Sequence, residues 1–305
     1  MPVAAPQEAS LNNEPELERM GAALEASGEY RVLRRLRTPP VAEATADTRM
    51  GLFVDVETTG LDPRQDEIIE LAMVPFFYRP DGAIVGVGEP FSRLRQPSRA
   101  ISPEITALTG IDDAMVAGQT IDPDAVAAFA APAALVVAHN AGFDRRFAER
   151  FCEVFTTKPW ACSMAEVPWT AEGSEGVKLA YLAMGQGFFY DRHRALNDCY
   201  AAIELLSRPL PRSGEIAFAR LLASARRPLW RIWAENSPFD LKDLLKARGY
   251  RWNADGGAAP RAWYIDVPQE GLEAELAFLR AEIYQQEIDL LRRRILAFDR
   301  YSDRC

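Results

Sequence analysis

Four carboxylates and a histidine stand in this chain where local structure would bring them together. Asp55 and Glu57 are two residues apart in GLFVDVETTG (51–60), an apolar run that ends on a glycine turn. In an extended strand, residues i and i+2 share a face. Both acids therefore point the same way at the strand's end. Two adjacent carboxylates repel, and both stay ionised most readily with a cation between them. Hard divalent ions such as Mg²⁺ and Mn²⁺ take oxygen ligands. A solvated strand end before a turn accounts for the same two residues when they are read alone.

A second group is HNAGFD (139–144), where the short apolar run AALVVAH gives way to GFDRRFAERF. Open α/β sheets bind ligands at such strand-to-helix junctions. Asp144 falls in the first helical turn, where an acid also complements the helix dipole. A third is HRALNDCYAAIELL, with His193 five residues before Asp198. Asp198 falls in a first helical turn. His193 precedes the helix, so its ring is not tied to a helix face. Imidazoles titrate near neutrality and suit general-base work.

The elements that must position these groups read as an α/β domain. GLFVDVE is a buried strand. EIIELAMVPFFY and AIVGVGEPFSRL are two more, joined by the turn PDG as a hairpin. AALVVAH suits a central strand. Phe143, Phe147 and Phe151 recur every four residues on one face of the following helix. LNDCYAAIELL is a second amphipathic helix. Residues 1–47 form a peripheral leader in which Leu17, Met20 and Leu24 have helical spacing, and Pro39-Pro40 stops any helix. Pro209, Pro211, Ser213 and Gly214 mark a linker. Beyond it the texture changes: PLWRIWAEN (strand), FDLKDLLKARG (helix), YRWN and RAWYIDV (strands), then a helical stretch from Gly271. This is the pattern of a small α+β module over 214–305.

Composition bounds the functional class. The 305 residues are 48% hydrophobic and 26% charged, enough for a packed core in a soluble protein. No apolar run reaches the roughly 18–20 residues that span a bilayer, and the N-terminus shows no signal-peptide h-region, so a cytoplasmic location without membrane contact is expected. Cys152, Cys162, Cys199 and Cys305 have no CxxC spacing and read as reduced thiols, neither a zinc site nor a disulfide framework. The net charge of −9 argues against gripping a long duplex, since such proteins are usually basic. It is compatible with holding a few nucleotides at a strand end through bound cations.

Together, FVDVETTG, EIIELA, ITALTGI, HNAGFD and HRALNDC resemble the DEDDh family of 3′→5′ exonucleases, over residues 48–209. Relatives in that family include the proofreading epsilon subunit of bacterial DNA polymerase III, ribonuclease T and oligoribonuclease. The resemblance implies an RNase H-like fold, a mixed five-stranded sheet with helices on both faces. It implies two divalent ions about 3.5–4 Å apart, Mg²⁺ or Mn²⁺. Asp55 would bridge them. Glu57 and Asp198 would hold the ion that binds the attacking water, and Asp144 would support the second. His193 would be the general base. Thr58, Thr59, Gly60 and Leu61 would hold the terminal nucleotide and Ile111 would line the base pocket. His139, Asn140 and Phe143 would contact sugar-phosphate or base. For Ile111 and Phe143, plain core packing is an equal reading. Every acid of the family pattern is present, and so is the histidine that separates this branch from the tyrosine branch.

The expected substrate is a single-stranded 3′ end, DNA before RNA, because the appended module exceeds what a stand-alone dinucleotidase needs. RNA trimming is one alternative. A polymerase-associated binding module is the other, with a replication or repair partner engaging 214–305. That segment interleaves Arg226-Arg227, Arg231, Lys242, Lys246, Arg248, Arg251 and Arg292-Arg293-Arg294 with Trp230, Trp233, Tyr250, Trp252, Trp263 and Tyr264. Such a mixture can stack bases and track phosphates, but a tryptophan core with a solvated arginine face explains it better. Gln285–Leu291 loosely resembles the short glutamine-plus-hydrophobic peptides that bind sliding clamps.

Overall fold

The computed structural model describes residues 14–254 and 259–304. The N-terminal residues before Glu14 and the thiol of Cys305 lie outside the described residues. The long strand Arg49–Thr58 sits near the centre of a six-stranded mixed sheet. It pairs antiparallel with Ile68–Tyr78 on one side and parallel with Leu135–Ala138 on the other, and Trp160–Cys162 continues the parallel half. Ile84–Val87 and Phe91–Leu94 lie end to end along the far edge of Ile68–Tyr78. They occupy one strand position between them, so the sheet has the five positions of an RNase H-like fold.

Alternation along Arg49–Thr58 decides which residues meet which helices. Leu52, Val54 and Val56 face a core shared with the helices Pro123–Ala130 and Ala141–Phe151. Phe53 faces the other core, shared with Leu179–Gly185 and Ala195–Ser207. Asp55 and Glu57 have the parity of Phe53, so they turn toward the helix that carries Asp198. Packing around the strand is tight: a Cβ added at Gly51 would stand 2.2 Å from the Phe76 ring.

The helix Ala217–Arg226 lies beyond the Pro209–Gly214 linker yet packs in the main core, with Phe218 edge-on to Phe76 at 5.1 Å. A separate four-stranded antiparallel sheet follows, built from Leu229–Ala234, Arg251–Trp252, Trp263–Pro268 and Arg292–Ile295. One of its faces is covered by the helices Lys242–Ala247 and Leu272–Phe278 around Ile232, Leu245 and Leu276. The Arg292-Arg293-Arg294 run is an edge strand, a place where charge blunts unwanted pairing. Of the apolar positions of the clamp-like peptide, Leu290 is buried in this small core, Ile288 packs partly against it and Leu291 is exposed. Cys152, Cys162 and Cys199 are buried free thiols. Among the described residues no helix is long and apolar enough to cross a membrane.

Candidate active site

The three sequence motifs converge where Arg49–Thr58 ends. Register with the neighbouring strand shifts between Glu57 and Thr58, which breaks the ladder there and opens the strand end. One oxygen each of Asp55, Glu57 and Asp198 lies within 4.8 Å of the others. Asp144 approaches from the opposite face. It is 3% exposed, and its Oδ1 accepts a hydrogen bond from the Val56 N–H at 3.2 Å. It stands outside the close triad, yet near enough that its charge raises the pKa of Asp55.

The electrostatics are those of crowded acids only weakly offset, by Arg194 near Glu57 and His193 near Asp198. Desolvation, then Asp144, Asp198 and Glu57 in turn, push the Asp55 carboxyl well above the usual carboxylate range. Burial and the neighbouring Asp198 raise Glu57 to about 8. Burial raises Asp144 to about 8 against the opposing Val56 hydrogen bond. Asp198 is also raised by burial, although Tyr190 and the backbone of His193 and Arg194 stabilise its charged form. Asp55, Glu57 and Asp198 keep some contact with solvent, so an ion has a path to them. An all-oxygen set of crowded carboxylates suits a hard divalent cation.

His193 is held on the loop leading into Ala195–Ser207 with φ +61°, a left-handed conformation that histidine adopts more readily than most residues. Asn140, in the second motif, has φ +86°. His193 and Asn140 precede Asp198 and Asp144 by five and four residues, and Asn236, Gln285 and Tyr301 share the conformation elsewhere among the described residues.

The residues expected to touch substrate have varied settings. Thr58 is buried and donates from its hydroxyl to the Gly60 carbonyl at 2.6 Å. Thr59 donates to Asp66 at 3.3 Å and accepts from the Glu67 N–H at 3.0 Å. A Cβ at Gly60 would come within 2.5 Å of the Asp66 carboxylate, so a larger residue there would have to displace the Asp66 side chain from its bond to Thr59. Leu61 is 84% exposed at its tip. Ile111 is fully buried with Ile69, Ile101 and Val116. Phe143 is half-buried against Phe147, with ring centroids 4.9 Å apart. Both ring nitrogens of His139 are engaged within the protein, with Ser163 Oγ and the Val177 carbonyl, each at 2.9 Å. Burial holds its pKa down at about 4.

Two residues that sequence reasoning left unassigned sit against the site. Tyr190 donates its hydroxyl to Asp198 Oδ1 at 2.9 Å. Glu70 stands directly across the strand pair from Glu57 and is 2% exposed. Its signal was a lone acid in the otherwise apolar run IIELAMVPFF, since acids are almost never buried unless paired. Tyr190 carried no such signal, because its contact depends on the path of a loop.

A family model for RNase T exonucleases matches residues 52–206. Exodeoxyribonuclease 10 of Escherichia coli strain K12 is 34% identical over 176 residues, covering 53% of this chain and 69% of that protein. The PolC-type DNA polymerase III of Thermotoga petrophila is 30% identical over 177 residues, covering 56% of this chain. The match takes in only 12% of that much longer polymerase. The solved structure of exonuclease X in complex with 5′ overhanging duplex DNA is 30% identical. It aligns with 56% of this chain and 99% of its own, with a TM-score of 0.41.

Proposed function

The chain belongs to the exonuclease family, and on that premise we propose that it removes nucleotides one at a time from the 3′ end of a single DNA strand. The observation that carries this reading is the triad of Asp55, Glu57 and Asp198, crowded at a strand end beside His193 and Asp144. Asp55, Glu57 and Asp198 would hold a divalent ion, Mg²⁺ or Mn²⁺, and Asp144 would support a second. Bound there, the ions would neutralise the scissile phosphate and lower the pKa of the attacking water.

The chain's own groups supply the rest. His193 takes the proton as the water oxygen attacks phosphorus. The bond from phosphorus to the 3′ oxygen breaks, that oxygen gains a proton, and a nucleoside 5′-monophosphate leaves. The turn Thr58–Leu61 would seat the terminal nucleotide. Asn140 and Phe143 would flank it, with His139 fixing the loop beneath. DNA is favoured over RNA by the names of the relatives, an exodeoxyribonuclease and a DNA polymerase. The module over 214–305 would be the surface for a replication or repair partner.

The test is cleavage of 5′-labelled single-stranded DNA and RNA with Mg²⁺ or Mn²⁺, beside EDTA and Asp55→Ala controls. A ladder shortening from the 3′ end, faster on DNA and lost in both controls, is the expected result. Wild-type protein that cuts neither polymer under any metal would overturn the proposal.

A further inference from the structure

Glu57 and Glu70 face one another across the strands Arg49–Thr58 and Ile68–Tyr78. Like charges directly opposite are destabilising, and the two acids are treated differently. Glu70 is clamped by Arg194 side-on, with Nη2 to Oε1 at 3.0 Å and Nε to Oε2 at 3.3 Å. Its Oε2 also accepts the Ala195 N–H at 3.0 Å. Glu57 is left without a hydrogen-bonded guanidinium among the described residues.

Arg194 is the residue after His193. Its own N–H is bound to Asp198 Oδ2 at 3.2 Å. The loop is therefore held at Arg194 and Ala195 by Glu70 and at Tyr190 by Asp198. His193 stands between these anchors with φ +61°. Its ring takes no hydrogen bond from the described residues, so its place is set by the backbone that carries it.

We propose that Glu70 and Arg194 are positioning residues whose ion pair aims His193 at the attacking water. The inference rests on the exonuclease reading. A side-on guanidinium–carboxylate pair fixes direction as well as distance, which a lysine cannot do.

The experiment is a double-mutant cycle on the full chain with single-stranded DNA at saturating Mn²⁺. Glu70→Gln keeps the acceptor for Ala195 N–H and removes the charge that holds Arg194. It should lower kcat by roughly ten- to a hundredfold with KM changed by less than about threefold. Arg194→Ala leaves the buried Glu70 carboxylate without its counter-charge and should also lower Tm, so its rate is taken per folded molecule; it should fall likewise, and Arg194→Lys should recover only part of the loss. In a His193→Ala background, Glu70→Gln should cost less than about twofold, because nothing remains to be aimed. An equal loss in both backgrounds would overturn the proposal. So would recovery of the Glu70→Gln rate when Mn²⁺ is raised well above the concentration that saturates the wild type, since the pair would then act on the metal acids. Failure here leaves metal-dependent cleavage and its loss in Asp55→Ala intact, so it is separable from failure of the exonuclease reading.

Discussion

The acidic end of the main sheet and the seam between the C-terminal segment and the helix Ala141–Phe151 handle buried charge in opposite ways. At the sheet end, none of Asp55, Glu57, Asp144 and Asp198 accepts a hydrogen bond from a guanidinium among the described residues. At the seam, Glu166 pairs with Arg300 at 2.7 Å, both nearly buried, and also accepts from the Tyr301 hydroxyl at 2.9 Å. Glu149 takes Arg145 at 2.7 Å and Arg304 at 2.8 Å. Arg145, fully buried and next to Asp144, also donates to the carbonyls of Ala297, Phe298 and Arg300. Uncompensated acids cost stability unless something outside the chain binds them, whereas compensated ones only hold parts together. The difference separates a site from a joint, although both are dense in charge.

Removing one acid from each region should give opposite results. Asp55→Asn takes away a mutually repelling charge. It should lower the cleavage rate at least ~10³-fold, about 4 kcal/mol of transition-state stabilisation. The metal-free Tm should hold or rise. A steep fall in metal-free Tm would mean that the cluster is a structural network like the seam, and the contrast would collapse.

Arg300→Met sharpens the other side. It leaves Glu166 with the Tyr301 hydroxyl and the Cys162 N–H but no counter-charge, and breaking a buried pair on one side costs roughly 3–5 kcal/mol. Thermal unfolding should move down by roughly 10 °C. The rate per folded molecule should stay within about threefold of wild type, because Arg300 bonds to Glu166 and to the Ser224 and Arg227 carbonyls and not to the four acids. A large loss of rate with little change in Tm would make the seam part of the site.

How much of this was legible from sequence follows the same division. Asp55 and Glu57 could be placed on one face because alternation in a strand is local, and FVDVE alternates against a fixed apolar neighbour. Asp144 and Asp198 could be placed at helix starts for the same reason. Glu70 escaped assignment because its meaning depends on strand register, which joins residues far apart in the chain. The seam was out of reach altogether. Arg300, Tyr301 and Arg304 look like an ordinary charged tail, and only the folded path brings them against Glu149 and Glu166. Ala217–Arg226 likewise has the pattern of any amphipathic helix, and nothing local says which of the two cores it joins. Trp233 and Tyr250 are buried whereas Trp252 is half-exposed, a sorting that composition alone cannot make.

The smallest effect concerns pH, where the acids and His139 pull in opposite directions. Glu57 and Asp144 titrate at about 8 in the folded chain, against ordinary carboxylate values when unfolded. The folded state then holds more protons over that interval, so their contribution is fully present at acid pH and is lost as pH rises through 8. His139, held at about 4, does the reverse: the unfolded chain binds the extra proton, and stability falls as pH drops below 6.5. Two acids outweigh one imidazole, so metal-free protein should be most stable near pH 4–5, lose at least about 5 °C of Tm by pH 8 and change little above it. Divalent ions bind the ionised carboxylates, so Mn²⁺ should restore the alkaline loss and do little at pH 6. Differential scanning calorimetry across pH, with EDTA or with Mn²⁺, measures both limbs. An alkaline slope that Mn²⁺ leaves unchanged would mean that the four acids do not form the ion's site.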